Sequence, residues 1–446
     1  MKKALVILPL LLAACAVGPD YQRPDVSLSD RFIGANAAAV ADVAQQRWWQ
    51  DYNDPLLSTL VEQGLSQSLD VLTAIERIQQ ARANAKATGL SAAVSGSLDV
   101  ANVRQGGDAI DGVQVIDSQQ LSAALVVDLF GRVQRGREAA LADLVAAKAE
   151  SQTVRLAWLA ELVSAYADAR YYQAVKKLAE NTIAAREQTA AIIRLQFEAG
   201  ASTQFEVATA EALLATAKAD VPRYQALFSA NVFSIATLLN TSATEVFAQM
   251  EAPSEQLETP AIYELGVPAD LLRNRPDVRS AEADLAAAVA NVGVAQAALY
   301  PAISLSGTVG ASDGLESWTF GPQLSLPIFN QVALRANRDA AESIAAQAEL
   351  QWRAAVLKAV EDVQIGQSNL EHYTARSTAL QQAAESYQQA LAMAQENFRA
   401  GAITLLDLLD TDRNALAASL SAASAINDNA KAWAVLKIAI GAGAGE

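Results

Sequence analysis

Apolar and polar residues alternate with period two at four places in the chain. Val94, Leu98 and Val100 oppose Ser95, Ser97 and Asp99, and Leu121, Ala123, Leu125 and Val127 oppose Ser122, Ala124 and Asp128. Ile303, Leu305 and Val309 oppose Ser304, Ser306 and Thr308, and Trp318, Phe320, Leu324, Leu326 and Ile328 oppose Gln323 and Ser325. Alternation over about ten residues, with aromatics near the ends, fits a transmembrane β-strand. It also fits an ordinary sheet with one wet face, and Pro322 and Pro327 each remove a ladder hydrogen bond. The four segments predict two hairpins, over about 92–130 and 301–329.

Everything between the hairpins reads as helix. A helix of moderate length is expected over 56–90 and again over 269–298. Long helical stretches follow at 132–198 and 331–398, each without proline and with a single glycine, Gly136 and Gly366. A continuous helix of that size would run about 100 Å. Further helices, 203–240 and 404–440, close the pattern. The order is the same twice because the chain is an internal duplication. Phe197-Glu198-Ala199-Gly200-Ala201-Ser202-Thr203 matches Phe398-Arg399-Ala400-Gly401-Ala402-Ile403-Thr404 at an offset of 201 positions. The same offset sets Glu206 on Asp407 and Tyr172 on Tyr373. The first repeat is therefore 56–240 and the second 269–440. A connecting side region of turn formers and helix breakers, 241–268, separates them, and 441–446 is a short tail.

Composition agrees with long helices: the 446 residues are 52% hydrophobic, with only 22 Gly and 12 Pro. The formal net charge of −16 excludes nucleic acid as a partner, which needs a basic footprint. A space enclosed by so acidic a chain attracts cations. The first residues, MKKALVILPLLLAAC, carry two lysines and an apolar run from Ala4 to Leu12, too short to span a bilayer. They read as a signal peptide, 1–14. Leu12-Ala13-Ala14-Cys15 resembles the lipobox of bacterial lipoproteins, which implies an acylated Cys15 opening an extended N-terminal segment, 15–55. Cys15 is the only cysteine, so no intrachain disulfide forms. Ala16 in place of an aspartate favours the outer membrane by lipoprotein analogy.

Four membrane strands cannot close a barrel, because the smallest need about eight. An open edge in lipid leaves backbone groups unpaired at a cost of several kcal/mol each. If the segments span the membrane, other subunits must complete the wall.

Taken together, WWQDYNDPLLSTLVEQGLSQSLDV (48–71), LLRNRPDVRSAEADL (271–285), ALYPAISLSG (298–307), GPQLSLPIFN (321–330) and FRAGAITLLDLLD (398–410) resemble the outer-membrane factors. More narrowly, they resemble the lipoprotein branch serving resistance-nodulation-division pumps. The resemblance implies a mainly α fold with transmembrane β: a trimer whose helices form a periplasmic tunnel and whose strands form one twelve-stranded barrel. It implies a passive exit channel for small molecules. A periplasmic adaptor and an inner-membrane transporter supply the energy and the remaining path. Acids at the positions of Asp407 and Asp410 line the periplasmic constriction in such proteins, with Glu206 at the repeat-equivalent place. Three subunits would gather these carboxylates, and mutual repulsion would raise their proton affinity. Capping alone also explains acids at a helix start, since the macrodipole favours them there. Asp412 lies off the shared face and reads as ordinary helix-start charge. Ile403 and Phe398 stand where some members carry an arginine and a tyrosine, so closure is expected to rest on Leu405, Leu406 and Leu409.

Other classes fit less well. The lone histidine, His372, sits in a polar helical stretch, and no phosphate loop, metal-ligand cluster or nucleophile elbow appears. Neither an enzyme nor a cofactor other than the lipid is expected. A lipoprotein adaptor would have one helical hairpin without the duplication, and a coiled-coil scaffold would lack the strands.

Overall fold

The computed structural model describes residues 16–28, 32, 43–107, 110–260 and 268–445. The signal peptide and Cys15 lie outside the described residues, as does 261–267 of the connecting region. A short 3-10 turn, Trp48–Tyr52, leads into α1 (Pro55–Gln67) and α2 (Leu69–Ala87). These divide at the buried Ser68, where one helix was expected. A single turn, α3 (Leu90–Ala93), precedes strands β1 (Val94–Gly107) and β2 (Ile110–Val127). The long helix α4 (Arg132–Glu198, 67 residues), α5 (Gln204–Leu238) and the short α6 (Ala243–Met250) complete the first half. The second half runs α7 (Pro268–Asn274), α8 (Pro276–Ala297), β3 (Ala302–Ser312), β4 (Leu315–Ser325), α9 (Gln331–Arg399, 69 residues) and α10 (Leu405–Ala439). Pro276 accounts for the division of α7 from α8, because the residue before a proline is pushed out of helical geometry.

Compactness does not follow the repeats. One unit comprises residues up to Ser27, Ala74–Ser151 and Asp277–Val356; the other comprises Leu28–Thr73, Gln152–Pro276 and Leu357 onward. Each repeat contributes to both.

The first unit holds the sheet, four antiparallel strands in the order β1-β2-β3-β4. The β2–β3 ladder, Ser118↔Ser312 to Val127↔Ile303, joins the two halves of the duplication. β3 and β4 are connected by Asp313-Gly314, both with positive φ (49° and 78°). Asp-Gly is the pair that a two-residue type I′ hairpin demands. Residues 16–27 lie against the helical part of this unit. Val17 N–H donates to Phe130 O at 3.1 Å. The buried Arg135 donates to Val17 O and Gly18 O, both at 3.3 Å, and to Asp20 at 2.7 Å. Glu282 accepts from Tyr21 OH at 3.1 Å and pairs with Arg23. Burial and the Glu282 charge push the Tyr21 hydroxyl up to about 12. Gly131 admits Ala16 at van der Waals distance; a Cβ there would lie 2.5 Å from the Ala16 Cα.

The second unit is helical. Its largest fully buried side chains include Trp48, Trp49, Trp433 and Tyr166. Trp433 meets Tyr52 at 4.8 Å and Trp48 at 5.6 Å between ring centroids. The tail is not loose: Gly441 to Gly445 is buried, and Trp48 Nε1 donates to Ala442 O at 3.1 Å. Arg275, of the Arg-Pro-Asp motif, pairs with Asp362 at 3.0 Å. It also donates to Ala439 O at 3.2 Å, satisfying a carbonyl that the end of α10 leaves open. Arg170 on α4 binds Tyr166 OH at 2.9 Å and Ala252 O at 3.1 Å, holding the connecting region to the helix.

Candidate functional site: the strand sheet and the helical tips

Register turns the alternation into two chemically distinct faces. Leu98, Leu121, Val309 and Trp318 are cross-strand neighbours in one row, and Val94, Leu125 and Leu305 in another. The apolar rows stay bare: Leu98 is 67% and Trp318 75% exposed. Between them, on the opposite face, Ser97, Ser122, Thr308 and Thr319 form a hydroxyl row. Ser97 and Ser122 hydrogen-bond at 2.8 Å, Thr308 and Thr319 at 2.7 Å. Phe130 and Tyr300, just outside β2 and β3, stack with centroids 4.7 Å apart. Among the described residues no strand covers the outer edges of β1 and β4. An apolar band with an aromatic end and a polar reverse side belongs between lipid and water.

At the other end of the sequence pattern are two five-residue loops, 199–203 and 400–404. Both are built alike. Gly200 and Gly401 take φ of +73°, the left-handed conformation glycine adopts without strain. Ala201 N–H donates to Gln196 O at 2.7 Å and Ala402 N–H to Asn397 O at 2.8 Å, the wide bonds of two Schellman motifs. Thr203 and Thr404 then start α5 and α10 with capping boxes closed by Glu206 and Asp407. Asp407 Oδ2 accepts from Thr404 Oγ1 at 2.6 Å and from Thr404 N–H at 3.0 Å. These bonds hold its carboxyl below the usual carboxylate range. Thr203 backbone and side-chain bonds, with Ser202, do the same for Glu206. Inside one chain the cap therefore works against the raised proton affinity expected of a carboxylate ring. Asp410 is exposed beside Arg413 at 3.1 Å and Asn414 at 3.2 Å. The structure thus places Asp407, Asp410 and Glu206 at the tips of their hairpins, with Asp407 and Glu206 engaged as caps.

Two expectations fail here. Asp412 is no surface helix-start charge: it is buried and pairs with Arg186 of α4 at 2.8 Å. Leu405 and Leu409 do pack, with Ile193, Val207, Ala394, Phe398 and Leu408. Leu406 does not; it is 71% exposed, because the buried face runs through Leu405, Leu408, Leu409 and Asp412 and position 406 lies about 100° around the helix from Leu405. Leu408 fills the place assigned to it. His372 is exposed, and the described residues include no group of acids, histidines or cysteines able to hold a metal.

The family model for outer membrane efflux proteins matches the chain twice, over residues 60–241 and 267–442. This chain belongs to that family. The two matched regions lie on either side of residues 242–266. Nodulation protein T of Rhizobium leguminosarum bv. viciae is 36% identical over 99% of this chain and 93% of its own length. The probable efflux pump outer membrane protein TtgC of Pseudomonas putida is 30% identical over 93% of this chain and 90% of its own. The solved structure of the outer-membrane channel OprN superposes with a TM-score of 0.84 at 30% identity, covering 96% of this chain and all of that one. The family consists of efflux channels of the outer membrane, and this chain has their fold of long helices with a small β part. An adaptor or a scaffold is not supported. No described helix is long and apolar enough to cross a membrane.

Proposed function

We propose that the chain works as a homotrimer, conducting small molecules passively outward from a periplasmic adaptor and a resistance-nodulation-division transporter of the inner membrane. The observation that carries this reading is the sheet: an exposed apolar face with β1 and β4 left as open edges. Three copies supply twelve strands, enough to close a barrel with no edge in lipid. Native mass spectrometry in detergent is expected to give a trimer. An inserted monomer with the heat-modifiable migration of a complete barrel would end the twelve-strand reading.

The anchor is a lipid on Cys15. Support comes from the neighbouring residue: Ala16 lies against Gly131, at the step from β2 into α4. Cys15→Ser is expected to abolish incorporation of labelled palmitate; label that persists would refute the lipobox. No other cofactor is proposed, and no catalytic step. Asp407 and Asp410, with Glu206 near them, ring the periplasmic mouth in this assembly and give it a preference for cations.

A further inference from the structure

Among the described residues near the two tips one acid is buried, and it is neither Asp407 nor Asp410. Asp412 on α10 is 8% exposed and Arg186 on α4 is 7% exposed. Arg186 Nε and a terminal nitrogen both reach Asp412 Oδ2, at 2.9 and 2.8 Å. Its remaining terminal nitrogen donates to Leu213 O of α5 at 3.0 Å. One guanidinium thereby ties three helices.

The duplication shows that this is not a scaffold requirement. At the 201-residue offset Asp412 corresponds to Glu211 and Arg186 to Tyr387. Glu211 pairs with Arg194 at the surface, with side chains 48% and 59% exposed, and Tyr387 is itself exposed. The α4–α5 hairpin has a second surface link, Lys218 to Glu187 at 2.8 Å. Between α9 and α10 the polar link nearest the tip, among the described residues, is Gln388 to Ser419 at 2.9 Å. From there to the tip the second hairpin is held by apolar packing around Phe398 and Leu408. Leucine packing tolerates sliding and rotation, whereas a buried ion pair has one satisfactory geometry and fixes register.

Helix geometry connects this pair to the mouth. At about 100° per residue, Asp412 lies about 200° around α10 from Asp410 and about 140° from Asp407. Anchoring Asp412 inside the chain therefore turns the two other acids outward. We propose that Arg186 is a positioning residue of the mouth: through Asp412 it sets the rotation of α10 and so the direction in which Asp407 and Asp410 face. This rests on the reading that those two acids line the mouth.

The test is Arg186→Met with Asp412→Leu, which removes both charges while keeping side-chain volume. Purified trimers are placed in planar bilayers and blocked with La3+ from the periplasmic side. The expected result is an intact trimer whose block affinity falls about tenfold, as for a population shift away from the inward-facing acids. A merely structural pair predicts wild-type block once the trimer forms. Block within about twofold of wild type in that variant overturns the proposal. Should the double variant fail to assemble, Asp412→Asn, nearly isosteric, is judged by the same threshold. Asp407→Ala/Asp410→Ala is run in parallel. If it loses block while the Arg186 variant keeps it, the positioning role alone is wrong. If neither loses block, the mouth reading has failed as well.

Discussion

Replacing Trp433 with alanine is expected to destabilise the helical unit by about 3–5 kcal/mol, the usual cost of deleting a buried aromatic. Trp433 has no exposed surface, and its ring lies against Tyr52 and Trp48 while Lys437 covers it at 5.3 Å. Loss of the ring also loosens Trp48, whose indole N–H holds the Ala442 carbonyl of the buried tail. The Trp433 Nε1 makes no hydrogen bond among the described residues. The effect is therefore one of packing, and Trp433→Phe should cost clearly less than the alanine variant. Urea midpoints of the helical signal in detergent measure both. A loss below about 1 kcal/mol for the alanine variant, outside the range for cavity formation, would remove this cluster from the core.

Changing Asp407 and Asp410 together to alanine is expected to raise cation-block constants in planar bilayers well beyond twofold and to leave the trimer intact. Both carboxylates are exposed, and in the proposed trimer three copies bring six of them to one opening. The cap that Asp407 closes with Thr404 complicates a single substitution, because its loss also frays the first turn of α10. Asp410 makes no cap, so Asp410→Ala alone separates the two effects. Reduced block there with unchanged protease resistance of the 400–404 loop is the signature of a lining residue. Block within about twofold of wild type in the double variant excludes these acids from the mouth.

What the sequence revealed and what it concealed divide along a physical line. The strands were readable because period two survives wherever one face meets lipid and the other water. Both long helices were readable from missing breakers, and both tips from a glycine followed by a threonine and an acid three residues on. Local chemistry of that kind is written in neighbouring positions. The role of Asp412 is not, since its partner lies 226 positions away and burial cannot be seen from an acid's surroundings in sequence. The Ser68 division carries no proline to announce it. Nor does a Gly-rich tail look like core; only its seat beneath Trp48 and Trp49 makes it so, with a Cβ on Gly443 meeting Trp48 Nε1 at 2.9 Å.

A wall of serine and threonine is poor at keeping hold of cargo. The hydroxyls of Ser97 and Ser122 hydrogen-bond one another, as do those of Thr308 and Thr319. In the proposed barrel, a solute passing that row meets hydroxyls that are already partly engaged with one another, with little to gain by stopping. Such a surface discriminates weakly between passengers and releases each quickly, which is the behaviour wanted of the last stretch of a one-way road, where any strong grip would become a queue.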